Sequence, residues 1–288
     1  MKSPVVYAFL GLLSAASAQL QQVQNFGPNS SGARMFVYAP SGLPANPAIV
    51  VGVHYCGGTA QGYYNGSPYK KLADQKKFVV IYPESPNSGG CWDVSSRATL
   101  KRDGGANSNS IANMVKYAID KYKADASKVF VIGESSGGMM TNILAAAYPD
   151  LFAAAIVYSG VAAGCFFTDS VAGWNGSCSG GQVNSTPQRW AQWVYDAYPG
   201  YNDKRPRMQI YHGSADTTIA PANYNYEIQQ WSTVFGYDPK KPQSEKTNTP
   251  DNGYTTQLFG NYLTGVYAQG VGHGVPAHGA EDMKFFGL

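Results

Sequence analysis

Ser135 stands in Gly133-Glu134-Ser135-Ser136-Gly137, which fits the spacing G-x-S-x-G. A serine on such a turn can attack an acyl carbon, provided that a base takes its proton and an acid orients the base. When this spacing joins a strand to a helix, the partners follow in the chain order serine, acid, histidine. His54 precedes Ser135, so only His212, His273 and His278 can follow in that order. Asp216, in the segment YHGSADTTI, is the acid best placed to leave the end of a strand. His212 comes before it and is out of order. Glu227 falls within a predicted helix, and Asp203 and Asp238 fall in polar loops where solvated charge is the plainer reading. His273, in Gly272-His273-Gly274, is the expected base, with His278 as runner-up. Asp216 as a mere turn residue and either histidine as a surface group of a Gly-rich tail are the plain alternatives.

An acyl transfer also needs N–H donors where negative charge develops on the carbonyl oxygen. The Ser136 N–H, at the start of the following helix, is one candidate. The second should come from the loop after an earlier central strand, and His54-Tyr55-Cys56-Gly57-Gly58 occupies that place. The Cys56 N–H is the expected donor. Trp92, next to Cys91, could stack on a sugar or an aromatic acyl group or could equally be a core residue. Tyr55 and Tyr158 are weaker candidates of the same kind. Met139 and Met140 read as helix packing.

The elements that must hold these residues are legible as alternating apolar runs. Ala48 to Tyr55, Phe78 to Tyr82, Val129 to Ile132, Ala153 to Tyr158 and Met208 to Tyr211 have the continuous apolar character of buried strands. Met35 to Tyr38 reads as an earlier strand. Helices are predicted over Pro68 to Lys77, Thr186 to Tyr198 and Pro221 to Phe235. Another is marked by Ile111, Met114, Val115, Ala118, Ile119 and Tyr122 on one face, capped by Ser108 or Ser110. MMTNILAAAYP follows the serine as a helix stopped by Pro149. This alternation predicts an α/β fold with a mostly parallel sheet and helices on both faces. Tyr254 to Phe259 and Leu263 to Tyr267 are expected to add an antiparallel hairpin, before a short terminal helix from about Gly279. Residues 19–33 read as an extended lead-in, 159–185 as an aperiodic excursion, and 238–253 as an irregular surface loop.

Met1-Lys2, a short apolar run and Ala16-Ser17-Ala18 have the order of a secretory leader, so residues 1–18 are expected to be removed and 19–288 to form one catalytic domain. The run is too short to span a bilayer, and neither a membrane span nor a lipid anchor is expected. Charged residues are only 14%, the net charge is +3 and there is no long basic run, which argues against nucleic acid. The 21 tyrosines and 13% aromatics fit an extracellular, sugar-rich setting. An even count of four cysteines in a secreted chain implies two disulfides, and the most local of three connectivities is Cys56–Cys91 with Cys165–Cys178. Two metal-ligand pairs are the alternative, but no C-x₂-C or H-x₃-H spacing supports it. Asn29, Asn65, Asn175 and Asn184 head N-glycosylation sequons.

HYCGGTAQGYY, SGGCWDVSS, NSNSIANMV, GESSGGMMTNILAAAYP, LFAAAIVYSGV, MQIYHGSADTTI and GVGHGVPAHG together resemble the fungal secreted acetylxylan esterases and type-B feruloyl esterases of carbohydrate esterase family one. The resemblance runs from about Gln19 to the C-terminus. It implies an α/β-hydrolase fold without cofactor or metal, a nucleophile at Ser135, an acid at Asp216, a base at His273 and an oxyanion loop at Cys56. Two positions depart from it: Glu134 stands where Ser or Thr is expected, and Gly274 where Thr is expected. The implied function is a secreted, monomeric serine esterase that removes acetyl groups from xylan through an acyl-enzyme. A feruloyl esterase acting on feruloylated arabinoxylan is the closest alternative. A hydrolase of short polyesters and a non-catalytic wall-binding protein on the same scaffold are more distant ones.

Overall fold

A computed structural model describes residues 18–288. The expected leader, residues 1–18, thus lies almost wholly outside the described residues. Ten strands form one sheet: β1 (Gln21–Val23), β2 (Arg34–Tyr38), β3 (Ile49–Val53), β4 (Val79–Glu84), β5 (Val129–Glu134), β6 (Ala154–Tyr158), β7 (Arg207–Gly213), β8 (Ser244–Thr247), β9 (Tyr254–Gly260) and β10 (Leu263–Ala268). Their spatial order is β1-β2-β4-β3-β5-β6-β7-β10-β9-β8. The centre, from β4 to β10, is parallel, with β5 pairing β3 on one side and β6 on the other. Antiparallel strands extend both ends, including the β9–β10 hairpin predicted from the sequence. The outcome is an α/β-hydrolase fold.

The apolar runs become central strands because both faces of the sheet are covered. Ile49, Val51 and Val53 of β3 point into one core, Val50 into the other, and all are buried. Helices α3 (Asn107–Tyr122), α4 (Ser136–Ala147), α6 (Pro187–Ala197) and α7 (Ala222–Phe235) cover the first face. On the second face lie α1 (Ala60–Gly66), α2 (Tyr69–Lys76) and α8 (Gly279–Phe286). The short helix α5 (Gly176–Ser179) sits inside the aperiodic excursion. Several local expectations change. Neither Ser108 nor Ser110 caps α3: the helix begins at Asn107, the Ser108 hydroxyl donates to the Thr99 carbonyl, and the Ser110 hydroxyl meets Ser31. Part of the expected irregular loop 238–253 is β8, a fully exposed edge strand. The extended lead-in contributes β1, as an extended segment can.

Both disulfides join cysteines that are consecutive among the four, Cys56–Cys91 and Cys165–Cys178. The first ties the loop after β3 to the loop after β4. The second closes the excursion that carries α5. Among the described residues, no helix is long and apolar enough to cross a membrane.

Candidate active site

Parallel strands deliver their following loops to one end of the sheet, and the site is built there. β5 ends at Glu134, and the chain turns through Ser135 into α4. Ser135 has φ 53° and ψ −120°, a strained conformation for a residue with a side chain. The turn is held by the Ser135 N–H donating to the Tyr158 carbonyl at 2.9 Å. It closes only on glycines: a Cβ at Gly133 would lie 2.3 Å from the Gly137 carbonyl oxygen, and one at Gly137 would lie 2.1 Å from that of Val53.

His273 Nε2 lies 2.9 Å from Ser135 Oγ, and His273 Nδ1 lies 2.7 Å from Asp216 Oδ2. The three residues come from β5–α4, the turn after β7 and the loop after β10. The Ser159 hydroxyl donates to the His273 carbonyl at 2.7 Å and pins that loop. Asp216 is 3% exposed, yet it is richly supplied with donors. Its Oδ1 accepts from the N–H groups of Thr218 and Ile219 at 2.9 and 2.8 Å, and His212 Nε2 approaches Oδ2 at 3.3 Å. Burial pushes this carboxyl up, but the bonds from His212, His273 and the Ile219 N–H outweigh it and hold the group well below the usual carboxylate range. His278 is placed elsewhere, between the rings of Tyr211 and Tyr254 and 3.4 Å from Asp251.

The loop after β3 is equally constrained. His54 Nε2 accepts from the Ser85 N–H at 3.1 Å, which leaves Nδ1–H to donate to the Tyr55 carbonyl at 2.7 Å. The Trp92 indole N–H donates to the His54 carbonyl at 2.9 Å. Gly57 N–H reaches the Gly89 carbonyl, and the Cys56–Cys91 bridge locks the two loops together. Among the described residues, no backbone acceptor takes the Cys56 N–H. Ser136 is the first residue of α4, where N–H groups have no partner within the helix.

These groups open on a cavity of about 550 Å³ whose lining includes Ser135, Ser136, Cys56, His273, Glu134 and Trp174. The three aromatic candidates separate. Trp92 and Tyr158 border the cavity but are each 1% exposed, with their polar atoms engaged by His54 and Asp282. This is the packing role weighed for Trp92, not an open stacking face. Tyr55 is exposed at the rim. Trp174 was missed from the sequence. It is 60% exposed, lines the cavity and packs edge-on against Phe166. Its only signal was a tryptophan inside a cysteine-closed excursion. Gly274 also lines the cavity, and a Cβ there would meet nothing within 4 Å. Of the four sequon asparagines, Asn65 and Asn184 are exposed. Asn29 Nδ2 donates to the Ala33 carbonyl, and Asn175 caps α5 with its Nδ2 turned to the Cys165 and Phe167 carbonyls.

Comparison with known proteins identifies the family. Residues 34–241 match the family model described as Esterase PHB depolymerase. Acetylxylan esterase A of Aspergillus ficuum is 56% identical over 274 residues, covering 94% of this chain and 90% of that protein. Acetylxylan esterase A of Talaromyces purpureogenus is 58% identical, covering 94% of this chain and 72% of that one. The solved acetyl xylan esterase from Aspergillus awamori superposes with a TM-score of 0.92 at 57% identity, over 93% of this chain and 99% of that chain. A feruloyl esterase module from Clostridium thermocellum, at 18% identity and a TM-score of 0.57, shares the fold. The chain belongs to the PHB-depolymerase esterase family, beside the fungal acetylxylan esterases, and is a serine esterase.

Proposed function

We propose that this chain deacetylates xylan outside the cell, using Ser135 as nucleophile, His273 as base and Asp216 as the acid that orients it. The observation that carries the reading is the hydrogen-bonded line from Ser135 Oγ through His273 to Asp216, opening on a cavity in a chain more than half identical to named acetylxylan esterases. Asp216 accepts the Nδ1–H of His273, so Nε2 carries the lone pair that takes the serine proton. As Ser135 Oγ bonds to the ester carbon, negative charge moves to the carbonyl oxygen. The N–H groups of Cys56 and Ser136 receive it; one such donor contributes about 3–4 kcal/mol to the transition state. Collapse breaks the bond to the sugar oxygen, which leaves as a hydroxyl by taking the former serine proton from His273 Nε2. Water then enters, its oxygen bonds to the acyl carbon as His273 Nε2 accepts its proton, and collapse breaks the bond to Ser135 Oγ, which takes that proton from His273 as acetate leaves.

The disulfide between the loops after β3 and β4 supports a fixed oxyanion site, since it ties the Cys56 backbone to the neighbouring loop. Tyr55 and Trp174 are the rings free to pack against a sugar. Two disulfides fit an oxidising, extracellular setting. Asn65 and Asn184 are the sequons open to a glycan, because their side chains are exposed. The test is a parallel assay of the purified protein on acetylated xylan and methyl ferulate. Acetate release in excess of ferulate release is expected. Ferulate release at a comparable or higher rate would move the substrate to feruloylated arabinoxylan and leave the residue roles in place.

A further inference from the structure

Glu134 is the residue immediately before the proposed nucleophile, and its side chain lines the cavity. One carboxylate oxygen is used: Oε1 accepts from the Tyr63 hydroxyl at 3.1 Å. Among the described residues, no side chain or backbone group donates to Oε2, and no Lys, Arg or His nitrogen lies within ion-pair distance of either oxygen. Oε2 is also absent from the buried polar atoms that lack a partner. It therefore keeps access to the cavity. The wall of the cavity as a whole is largely apolar, with Met139, Val94, Phe166, Ile219 and Val275 among its residues.

A second acid stands behind it. Asp282 of α8 is fully buried and accepts from Tyr158 and Tyr69 at 2.7 and 3.1 Å. Burial pushes the Asp282 carboxyl up to about 7, so at about pH 8 both acids raise the cost of bringing further negative charge to this end of the sheet, and among the described residues neither forms an ion pair. An acceptor such as Oε2 is satisfied by a hydroxyl or by water, and by no anion. Repulsion between like charges is strong across an apolar wall and weak across water.

We propose that Glu134 is a specificity-determining residue that restricts this esterase to uncharged esters, turning away substrates with an anion near the scissile bond on either the acyl or the alcohol side. The proposal rests on the Ser135 reading of the site. The selection is built by repulsion, not by a new contact.

The test compares kcat/KM for 4-nitrophenyl acetate with that for two permanent anions. These are 4-acetoxybenzenesulfonate, charged on the alcohol side, and 4-nitrophenyl 3-sulfopropanoate, charged on the acyl side. Assays run at about pH 8, because burial pushes the Glu134 carboxyl above its ordinary value despite the Tyr63 bond and nearby His273. Glu134→Gln is expected to raise at least one anionic-to-neutral ratio about tenfold or more, the scale expected on removing a poorly screened like charge. In the unaltered protein, raising sodium chloride from about 20 to about 500 mM should raise the same ratio several-fold, as the Debye length shrinks. Ratios within twofold of wild type in Glu134→Gln overturn the proposal. If that variant does not fold, a flat salt series overturns it alone. Loss of 4-nitrophenyl acetate cleavage by the unaltered protein would instead count against the serine-esterase mechanism itself.

Discussion

Asp216 and Glu227 are both buried acids on the β7–α7 segment, and they meet opposite fates. Asp216, at the loop end of β7, is 3% exposed and held below the usual carboxylate range. Glu227, in the middle of α7, is 0% exposed and pushed by burial up to about 8, against one hydrogen bond from Asn142. Burial acts in the same direction on both. The difference lies in the donors. Asp216 collects two backbone N–H groups and two imidazoles. Glu227 receives the Asn142 amide at 2.6 Å on Oε1, while Oε2 has no partner. A turn at a strand end presents free N–H groups, whereas the middle of a helix has spent them on its own backbone. The charged acid is therefore found where the chain turns, and the neutral one where it packs against α4 and Trp231, whose indole N–H donates to Asn142 at 2.8 Å.

Changes at three positions probe this contrast. Asp216→Asn should have the largest effect, a fall in kcat of about ten-thousand-fold with the fold retained, because the amide favours the wrong imidazole tautomer. Steady-state kinetics on an acetyl ester with a circular-dichroism control checks it. A loss under about tenfold, far below that precedent, would make Asp216 an ordinary turn residue. His212→Phe removes an Nε2–H shared between the Ile219 carbonyl at 3.0 Å and Asp216 Oδ2 at 3.3 Å, and should lower kcat by up to roughly tenfold, the ceiling expected for a hydrogen bond to a charged group. His212→Gln should recover most of it, since its amide N–H can replace Nε2–H. Equal activity in both variants would show that the ring is packing alone.

Glu227→Gln should alter stability more than rate. The folded protein holds a proton on Glu227 up to about pH 8, while the unfolded chain gives it up near the ordinary glutamate value of 4.5. The stabilising contribution of the protonated group is therefore complete below pH 4.5 and lost progressively as pH rises to about 8. Glu227→Gln removes that slope. Its Tm relative to wild type should be higher at pH 8 than at pH 5, since each tenfold difference in proton affinity between the folded and unfolded chain corresponds to about 1.4 kcal/mol. Parallel Tm–pH curves for the two proteins would mean that Glu227 is solvated or ionised in the fold.

Much of the site was legible because its parts obey local rules. Gly133 and Gly137 flank a serine between an apolar run and a helix, and each glycine is one that a Cβ would break. Chain order then left His273 and His278 as bases, the Gly-flanked loop favoured His273, a strand end favoured Asp216, and the β9–β10 hairpin showed in two short runs. What escaped depends on contacts distant in sequence. Trp174 lies in a stretch with no period, so nothing marked which way its ring would face. β8 is the sequence SEKT, an exposed edge strand without the alternation that identifies a half-buried one. Ser108 has the right residue type for a cap, but its hydroxyl finds the Thr99 carbonyl instead. The hydrogen bond that holds Glu134 comes from Tyr63 of α1, far from it in the chain.

The central claim is that Ser135 is the nucleophile. It is tested most directly by measuring acetate release from acetylated xylan by the purified protein and by Ser135→Ala, with matched circular-dichroism spectra. The account predicts a loss on the order of a million-fold in kcat with the fold intact. A folded Ser135→Ala protein that keeps roughly a tenth of the wild-type rate, far above that expectation, would contradict it.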